Sequence, residues 1–506
     1  MRDYITIIGG GLAGSEAAYQ IAKKGIKVKL YEMKPDRFSP AHSNKNLAEI
    51  VCSNSFKSNL HTNACGLLKE ELRILDSLLI KIADETAVPA GQALAVDREK
   101  FAEEVTKRIE NMNNIEIIRQ EVGNSFVDNT DDIIISENLT SELKQMAKDG
   151  IVIIATGPLT SDKLFKEILE MTGNDNLYFY DAAAPIIDKS SINMNIAFNG
   201  NRYEQEREKD EDIDVWKNRI ENQDRSYINL PMNKEEYENF WNELVNAEIV
   251  ELHNFEKREI FEGCMPIEIM AKRGMDTLRF GPLKPVGFTD LRTGRRPYAV
   301  VQLRQDNSQG NLYNMVGFQT NLKYGEQKRV FRLIPGLENA EFEKYGVMHR
   351  NTFINSPELL DKSYNLKKNN NIYFAGQITG VEGYVESIAS GLVAGINAVN
   401  RYRMLIKDNE IKSNKIDNGS ENNINYNIIN EKAKYTKLET EENFKIIFPE
   451  DISTSNNNFQ PMNANFGILP ELPEKIKDKK AKYAKLADKA IESLKTTIKC
   501  YNNITK

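Results

Sequence analysis

The sequence predicts an α/β protein that combines a discontinuous Rossmann-like nucleotide-binding domain, an inserted α/β domain and a C-terminal helical segment. Three stretches support this fold class. A glycine-rich turn joins a short apolar strand to a helix near residue 10, and further strand–glycine segments follow at residues 151–158 and 372–380. Strands of this kind carry their ligands at their carboxyl ends, so all three are expected to face one ligand. The length of 506 residues accommodates two or three domains.

The first stretch contains every part of a dinucleotide-binding motif. An apolar run at residues 4–8 precedes the turn Gly9-Gly10-Gly11-Leu12-Ala13-Gly14, a helical pattern follows, and a second apolar run delivers Glu32, 23 positions after Gly9. The glycines permit a tight turn, close approach to a pyrophosphate and close packing of helix on strand. The helix N-terminus favours phosphate, and Glu32 would accept from ribose hydroxyls while repelling a 2′-phosphate. A dinucleotide such as FAD or NAD is therefore predicted here.

The other two stretches favour FAD over NAD alone. Residues 151–158 form an apolar strand ending in Ala-Thr-Gly, with the glycine at Gly157. A third strand enters a turn containing Gly376, Gly380 and Gly383, almost 370 residues after the first. Three strands directed at one ligand predict an FAD domain interrupted by an insertion, and the alternative is an unrelated second α/β unit.

The domain boundaries follow from these strands and from shifts in composition. The FAD domain is predicted at residues 1–190 and 315–450, and the inserted domain at 190–315. Residues 204–225 carry nine acidic and five basic residues, which is typical of a solvated insertion. An asparagine-rich, low-complexity insertion is predicted at 405–435, because eight asparagines occur between residues 409 and 430. The C-terminal segment, 451–506, ends in an amphipathic helix with nine lysines against four acidic residues over 474–499.

Composition limits the classes of protein. No run of eighteen apolar residues occurs, and no charged-then-apolar leader precedes the first strand, so we expect neither a membrane span nor secretion and predict a cytoplasmic protein. The four cysteines include no Cys-x-x-Cys pair, and histidines do not cluster, so no metal site is expected. A net charge of −7 argues weakly against nucleic acid but permits a local basic patch.

Two cysteines lie in turn-like surroundings. Cys52 occurs in Val-Cys-Ser-Asn-Ser, and Cys264 occurs in Phe-Glu-Gly-Cys-Met-Pro, where glycine and proline indicate an exposed turn. An isolated cysteine is usually a small buried apolar residue. If these two are functional, they form either a redox disulfide beside a flavin or a nucleophile with a partner, and their spacing does not distinguish the two.

The segment 273–350 contains cations that suit anionic ligands. Arg279, Lys284 and Arg350 could bind carboxylate or phosphate groups. His349, one of four histidines, could stack on a heteroaromatic ring, although a structural role is the default for an isolated histidine.

These motifs together resemble one family. Gly-Gly-Gly-Leu-Ala-Gly-Ser-Glu-Ala-Ala, Ser-Pro-Ala-His, Val-Cys-Ser-Asn-Ser, Phe-Glu-Gly-Cys-Met-Pro, Met-His-Arg-Asn and Gly-Val-Glu-Gly-Tyr-Val-Glu-Ser are similar to those of the bacterial folate-dependent tRNA (uracil-5-)-methyltransferases, the TrmFO family. The resemblance covers residues 1 to about 400 and resumes at 459–463. Residues 204–225 and 409–430 look like insertions relative to the family.

The resemblance implies a reaction and roles for the cysteines. Methylenetetrahydrofolate would supply a carbon to C5 of the T-loop uridine at tRNA position 54, and FAD reduced by NAD(P)H would supply hydride. Cys264 would add to uracil C6, and Cys52 would act on the C5 proton. His349 would stack on the pterin, and lysines of the terminal helix would contact tRNA phosphates. No obligatory protein partner is expected.

Four alternatives remain open on the sequence. The same chemistry could act on a ribosomal RNA uridine, and a sister family acts on the wobble uridine with a partner GTPase but lacks Phe-Glu-Gly-Cys-Met-Pro. From other classes, the chain could be a flavin disulfide oxidoreductase using Cys52 and Cys264, or a non-catalytic flavin-bearing RNA-binding protein. The oxidoreductase reading requires the two sulfurs to lie close together.

Overall fold

A computed structural model describes residues 2–123, 142–173, 177–202, 215, 226–250, 265–290, 292–417, 476 and 478–504. The α-helices are α1 (Leu12–Ala22), α2 (Ala64–Ile74), α3 (Leu78–Glu85), α4 (Arg98–Glu110), α5 (Glu142–Asp149), α6 (Asp162–Thr172), α7 (Lys234–Asn246), α8 (Ile267–Lys272), α9 (Thr277–Phe280), α10 (Tyr324–Phe331), α11 (Ser356–Leu359), α12 (Tyr384–Asp417) and α13 (Lys479–Ile504). The strands are β1 (Tyr4–Ile8), β2 (Lys27–Glu32), β3 (Ser55–Ser58), β4 (Ala87–Val88), β5 (Ala93–Val96), β6 (Ile115–Arg119), β7 (Val152–Ile154), β8 (Leu177–Ala182), β9 (Ile186–Asp188), β10 (Phe198–Asn199), β11 (Tyr227–Met232), β12 (Ala299–Gln305), β13 (Leu312–Met315), β14 (Phe342–Lys344), β15 (Met348–Phe353), β16 (Asn365–Leu366) and β17 (Asn369–Phe374).

The three predicted glycine strands lie in one sheet. Its order is β16-β17-β7-β1-β2-β6, and only β16 runs antiparallel to its neighbour. The apolar runs of β1 and β7 are buried on both faces, as expected for central parallel strands covered by helices. The predicted α/β class and Rossmann-like domain are therefore confirmed. The apolar run at 132–135, which by itself predicts a further short strand, lies outside the described residues.

The second large sheet belongs to the inserted part of the chain. It is antiparallel, with the order β10-β11-β12-β13-β9-β14, and it packs on α7, α8 and α10 around its own apolar core. Two of its strands, β9 and β14, lie outside the predicted segment 190–315. The second sheet therefore extends beyond that segment at both ends. Both strands are only three residues long, too short for an apolar pattern to assign them.

Helix α12 packs lengthwise on α1, and glycines make this contact possible. A Cβ atom at Gly391 would lie 2.2 Å from the Ala13 carbonyl oxygen, and one at Gly395 would lie 3.0 Å from that of Ala17. The backbones therefore approach more closely than side chains would allow. This contact brings the turn after β17 against the turn after β1.

Helix α12 also continues into the asparagine-rich stretch. Residues 405–417, predicted as low-complexity insertion, form its last turns, since an asparagine-rich composition does not by itself end a helix that a long apolar face has started. Residues 418–435 lie outside the described residues, as do residues 204–225 except for Val215.

The terminal helix α13 docks on the FAD domain. Ala487 and Ala490 are buried in the same core as β1 and α2, whereas Lys482 and Lys485 are less buried. Among the described helices, none is both long enough and apolar enough to cross a bilayer.

Candidate dinucleotide cleft and cysteine site

One cleft lies where the three glycine strands end. It is bordered by the first turn at residues 8–13, by Glu32, by the turn after β7 at 155–161 and by Gly376 and Gln377 after β17. Gly157 and Gly376 have φ angles of +69° and +80°, which favour glycine. The structure therefore brings the predicted residues of all three turns to one site. Gly380 and Gly383, with φ angles of +83° and +104°, shape the turn that leads into α12.

The cleft residues fit a dinucleotide. A Cβ atom at Gly11 or Gly157 would meet no atom within 4 Å, so both glycines face open space. A Cβ atom at Gly14, by contrast, would lie 1.8 Å from the Gly9 carbonyl oxygen, so Gly14 serves the packing of α1 on β1. Gly11 precedes α1, and no side chain caps this helix. The free N–H groups and the positive end of the helix dipole are suited to a pyrophosphate.

Glu32 is held in place by the backbone. Its carboxylate accepts from the Gly10 amide at 2.9 Å and from the Lys34 amide at 3.0 Å, and the side chain borders the cleft. Each carboxylate oxygen keeps further acceptor capacity, so the group can still receive ribose hydroxyls. A Cβ atom at Gly10 would collide with this carboxylate at 2.9 Å.

Tyr384 connects Cys52 to this cleft, because its side chain borders the cleft and contacts Cys52. The amides of Cys52 and Ser53 each donate to Tyr384 Oη at 3.1 Å, and Cys52 Sγ lies 2.9 Å from the same oxygen. Amides can only donate, so they occupy the acceptor positions of the phenol oxygen and direct its hydrogen toward the sulfur. Burial raises the pKa of Tyr384 well above its ordinary value, and the Cys52 sulfur adds to the rise. Tyr384 therefore stays protonated and donates to Cys52.

Two buried arginines fix the Cys52 loop. Arg98 donates to the Val51 carbonyl at 3.0 Å and pairs with Asp306 at 2.9 Å. Arg304 donates to Ser53 Oγ at 2.8 Å and to Asn54 Oδ1 at 2.9 Å. Burial opposes the charged form of Arg98, but the Asp306 carboxylate and the nearby Tyr384 and Cys52 raise its pKa overall. A cation close to Cys52 favours its thiolate.

Other predicted residues are distributed over three places. Cys264 lies outside the described residues. His349 and Arg350 are in β15, a strand tied to the cleft because the Thr352 amide donates to the Pro158 carbonyl at 2.8 Å. Arg279 and Lys284 lie in and after α9 in the second domain, and Arg279 is bound to Asp276 and to the Tyr298 carbonyl.

Sequence reasoning did not identify Tyr384, Arg98 or Arg304. Tyr384 occurs in the quoted stretch Gly-Val-Glu-Gly-Tyr-Val-Glu-Ser, and a tyrosine between a glycine turn and a helix was its only signal. The arginines reach Cys52 from elements 46 and about 250 residues away in sequence, a contact that spacing cannot predict. Among the described residues, no group of three metal-binding side chains is found.

Comparison with known proteins identifies the relatives of this chain. Residues 4–405 match the sequence model of the family described as glucose inhibited division protein A. Two crystal forms of Aquifex aeolicus GidA superpose with TM-scores of 0.53 and 0.54 at 19% and 18% identity. These superpositions cover 79% of this chain and 63% and 66% of the GidA chains, and they support the fold alone.

Two curated relatives are far more similar in sequence. Proteins of Acetivibrio thermocellus and Fusobacterium nucleatum are 53% and 52% identical to this chain, cover 99% of it, and are themselves covered completely. Both are named methylenetetrahydrofolate–tRNA-(uracil-5-)-methyltransferase TrmFO. The fold and the cleft are those of a dinucleotide-binding protein, and the match over residues 4–405 places the chain in the glucose inhibited division protein A family. Within it, the chain belongs to the TrmFO family.

Proposed function

We propose that this protein methylates C5 of uridine 54 in the T-loop of tRNA, with methylenetetrahydrofolate as the one-carbon donor and FAD as the bound cofactor. The observation that carries the proposal is that Tyr384 borders the dinucleotide cleft and is also hydrogen-bonded to Cys52. Full-length relatives at about half identity bear the name of this activity. The ribosomal RNA target and the disulfide oxidoreductase are the alternatives, and no relative reported above bears a name for either.

The cofactor would be held by residues already described. The N-terminus of α1 after Gly11 would bind the pyrophosphate, Glu32 would bind the adenosine ribose, and Gly157, Gly376 and Gln377 would border the remainder. When bound, FAD supplies the reducing equivalents that convert a methylene carbon into a methyl group. Reduction by NAD(P)H is part of the proposal. His349 and Arg350 in β15 are proposed to meet the folate, because this strand borders the turn at Pro158.

Cys264 is proposed as the nucleophile. Its thiolate would form a bond to uracil C6, and the electron pair of the C5–C6 double bond would move onto C5 and the C4 carbonyl. C5 then attacks the methylene carbon of the donor, carried as a carbon–nitrogen iminium, and the C=N electron pair moves onto the donor nitrogen. The turn of the chain is fixed directly after this residue, because the Ile267 amide at the start of α8 donates to the Gln319 carbonyl at 2.7 Å.

Cys52 is proposed to take the proton from C5. Loss of this proton lets the C5–H electron pair form a double bond to the methylene carbon, and the bond from that carbon to the donor nitrogen breaks. Hydride delivered to the methylene carbon would then move the pair of that double bond onto C5, which breaks the C6–sulfur bond and releases Cys264 as a thiolate. The hydrogen bond from Tyr384 and the positive charge of Arg98 favour the thiolate form of Cys52 before the transfer. Cys52 Sγ then holds the proton within 2.9 Å of Tyr384 Oη.

The proposal is tested with a T-arm RNA that carries 5-fluorouridine at the target position. Fluorine cannot leave as a proton, so the bond between the protein and C6 should persist as a covalent adduct. Cys264→Ala should lose both the adduct and methylation while retaining flavin. Cys52→Ala should lose methylation but keep flavin, and Cys65→Ala provides a control cysteine outside the proposed mechanism. Near-native methylation by Cys264→Ala would refute the scheme.

The target and the oxidoreductase alternative need a second measurement. Mapping 5-methyluridine by mass spectrometry in tRNA and ribosomal RNA from a deletion strain separates the two RNA targets. Loss at tRNA position 54 alone supports the proposal. A Cys52–Cys264 disulfide that forms and is reduced during turnover would favour the oxidoreductase. The cytoplasm is the proposed location, since tRNA and a folate are the proposed substrates.

A further inference from the structure

We propose that residues 272–290 and 292–296, the basic face, form the docking surface for the phosphate backbone of the RNA substrate, and that Phe280 stacks on an unpaired base there. This inference rests on the proposed function, because it takes the RNA as substrate. It assigns a role to residues that lie apart from the dinucleotide cleft.

The charge of this segment is opposite to that of the whole chain. Residues 272–296 contain seven basic and two acidic residues, a net charge of +5, in a protein of net charge −7. The basic residues are Lys272, Arg273, Arg279, Lys284, Arg292, Arg295 and Arg296. Both acidic residues are already engaged, since Asp276 pairs with Arg279 and Asp290 pairs with Arg292. A local excess of cations in one segment of the chain is the electrostatic mark of a nucleic-acid contact.

The cations that remain are directed to solvent. Lys272, Arg295 and Arg296 are exposed, and within the described part of the chain neither Arg295 nor Arg296 is in an ion pair. Arg295 and Arg296 follow a turn in which the Asp290 amide donates to the Arg295 carbonyl at 2.8 Å. The turn is therefore held in shape while its arginine side chains are available for phosphates. Glu236, whose charge acts on Arg292, is occupied in the N-terminal capping box of α7.

Phe280 supplies an aromatic surface beside these charges. Its exposed fraction is 79%, the largest among the exposed large apolar side chains of the described residues. The short helix that carries it is fixed by Arg279, whose guanidinium lies 3.5 Å from the centre of the Tyr298 ring and donates to the Tyr298 carbonyl. An aromatic ring held in solvent among cations suits stacking on an exposed nucleobase.

The loop between Phe280 and the arginine turn is also rigid. Arg202 donates to the Lys284 and Val286 carbonyls and to Gln302 Oε1, and its guanidinium lies over the Phe288 ring at 4.9 Å. The backbone of this loop is therefore held in place by side-chain contacts. A loop that is already held loses less entropy on binding.

Strand β12 links the basic face to the cysteine site. It begins at Ala299, just after Arg296, and ends at Gln305, whose carbonyl accepts from Asn54 in the Cys52 loop at 2.9 Å. Seven residues of strand span about 20 Å. The basic face is thus too far from Cys52 to touch the reacting uracil, but an RNA stem that places a uridine at Cys52 extends over this distance. The contacts are expected to affect RNA affinity more than the chemical step.

The test uses the full-length flavin-bound protein and an unmodified tRNA transcript. Arg295→Gln/Arg296→Gln should raise the KM for tRNA roughly tenfold and flatten the dependence of log affinity on log salt by about 2, one phosphate contact for each arginine. Phe280→Ala should raise KM about 5- to 100-fold, and Phe280→Trp should restore it because the stacking surface returns. The matched control is Lys81→Gln/Lys107→Gln, which removes two exposed lysines from α3 and α4 of the other domain.

The outcomes separate the basic face from the proposed function. Suppose that the wild type methylates tRNA, and that KM and the salt slope are unchanged in both Arg295→Gln/Arg296→Gln and Phe280→Ala. This result would overturn the proposed role of the basic face and leave the proposed function intact. RNA binding whose salt slope flattens in the arginine variant, without any methylation, would support the basic face and overturn the proposed function. Flavin content per polypeptide, measured for every variant, shows that the fold is retained. An equal effect of the lysine control would overturn the assignment to this surface.

Discussion

At the scale of single residues, Gly11 decides whether the cleft can hold a pyrophosphate. Its missing side chain faces open space in front of the N-terminus of α1. Gly11→Val should fill the place of the phosphates and abolish flavin retention without unfolding the protein. The measurement is flavin absorbance per polypeptide after purification. Gly325→Val is the control. A Cβ atom there also meets no neighbour, but Gly325 is not among the residues that border the cleft. If Gly11→Val purifies with its full flavin content, this turn is not part of the cofactor site.

A second prediction concerns Lys69, a buried lysine beside the Cys52 loop. Its ammonium donates to the carbonyls of Phe56, Ser58 and Cys65, and burial lowers its pKa to about 8. An unfolded lysine titrates near pH 10.4. Between about pH 8 and about pH 10, the unfolded chain therefore holds a proton that the native protein has released, and the native state gains stability as pH rises.

The change that tests this is Lys69→Met. The free energy of unfolding of the wild type, relative to the variant, should rise by up to about 3 kcal/mol over that pH range. Urea unfolding at a series of pH values measures it. The lost carbonyl contacts shift the variant by a constant amount and do not alter the slope. Lys81→Met serves as the exposed control, and parallel curves for wild type and Lys69→Met would contradict the prediction.

The sequence predicted the site residue by residue only where local chemistry demanded a particular residue. Gly9, Gly11, Gly14 and Glu32 could be assigned to one proposed site because a tight turn, phosphate approach, helix packing and ribose binding each favour particular residues within one short stretch. Tyr384 and Arg98 were not, since their roles come from contacts with Cys52 that exist only after folding. The cap of α4 also follows from local chemistry, because Asp97 immediately precedes the helix and its side chain accepts from the Lys100 amide.

At the scale of elements, the contact of α12 with α1 determines whether the third glycine turn reaches the cleft. Gly391→Ala would place a methyl group 2.2 Å from the Ala13 carbonyl, so the two helices must separate. Gly395→Ala meets the Ala17 carbonyl at 3.0 Å and requires a smaller shift. We expect Gly391→Ala to lose more stability and more flavin than Gly395→Ala.

Thermal unfolding with and without added FAD measures both effects. Gly391→Ala and Gly395→Ala serve as controls for each other, because the two substitutions are chemically identical and lie one helical turn apart. Equal losses, or a larger loss for Gly395→Ala, would contradict the packing argument.

Elements were predictable where their pattern was long. Strands β1, β2, β7 and β17 and helix α1 agree with the apolar runs and the helical pattern around the glycine turns in the sequence. Strands of two or three residues, such as β9, β10 and β14, have no readable period, and they determine how far the second sheet extends. Tertiary pairing, not local preference, selects these short strands.

At the scale of the whole molecule, the buried pair Arg98–Asp306 joins the first residue of α4 to the end of β12 in the second sheet, beside the Cys52 loop. Its side chains are 12% and 5% exposed. Asp306→Asn would leave the Arg98 charge buried without its carboxylate and should cost about 3–5 kcal/mol. We expect the unfolding transition monitored by flavin to separate from the one monitored by circular dichroism.

The matched control is Asp84→Asn, which removes the partner of Arg73 from an exposed pair on the surface. That loss should be below about 1 kcal/mol. If the two variants are equally stable, the pair does not couple the domains.

The arrangement of the first sheet has a consequence for the growing chain on the ribosome. Strand β1 at its centre is made first, but β17, two places away, is at residues 369–374, and the glycines that seat α12 on α1 come still later. The nascent protein therefore cannot complete its cofactor site until about four-fifths of it has been translated. Until then the apolar edge of β7 has no partner strand, and an early stop codon yields a fragment with an open sheet edge that invites aggregation.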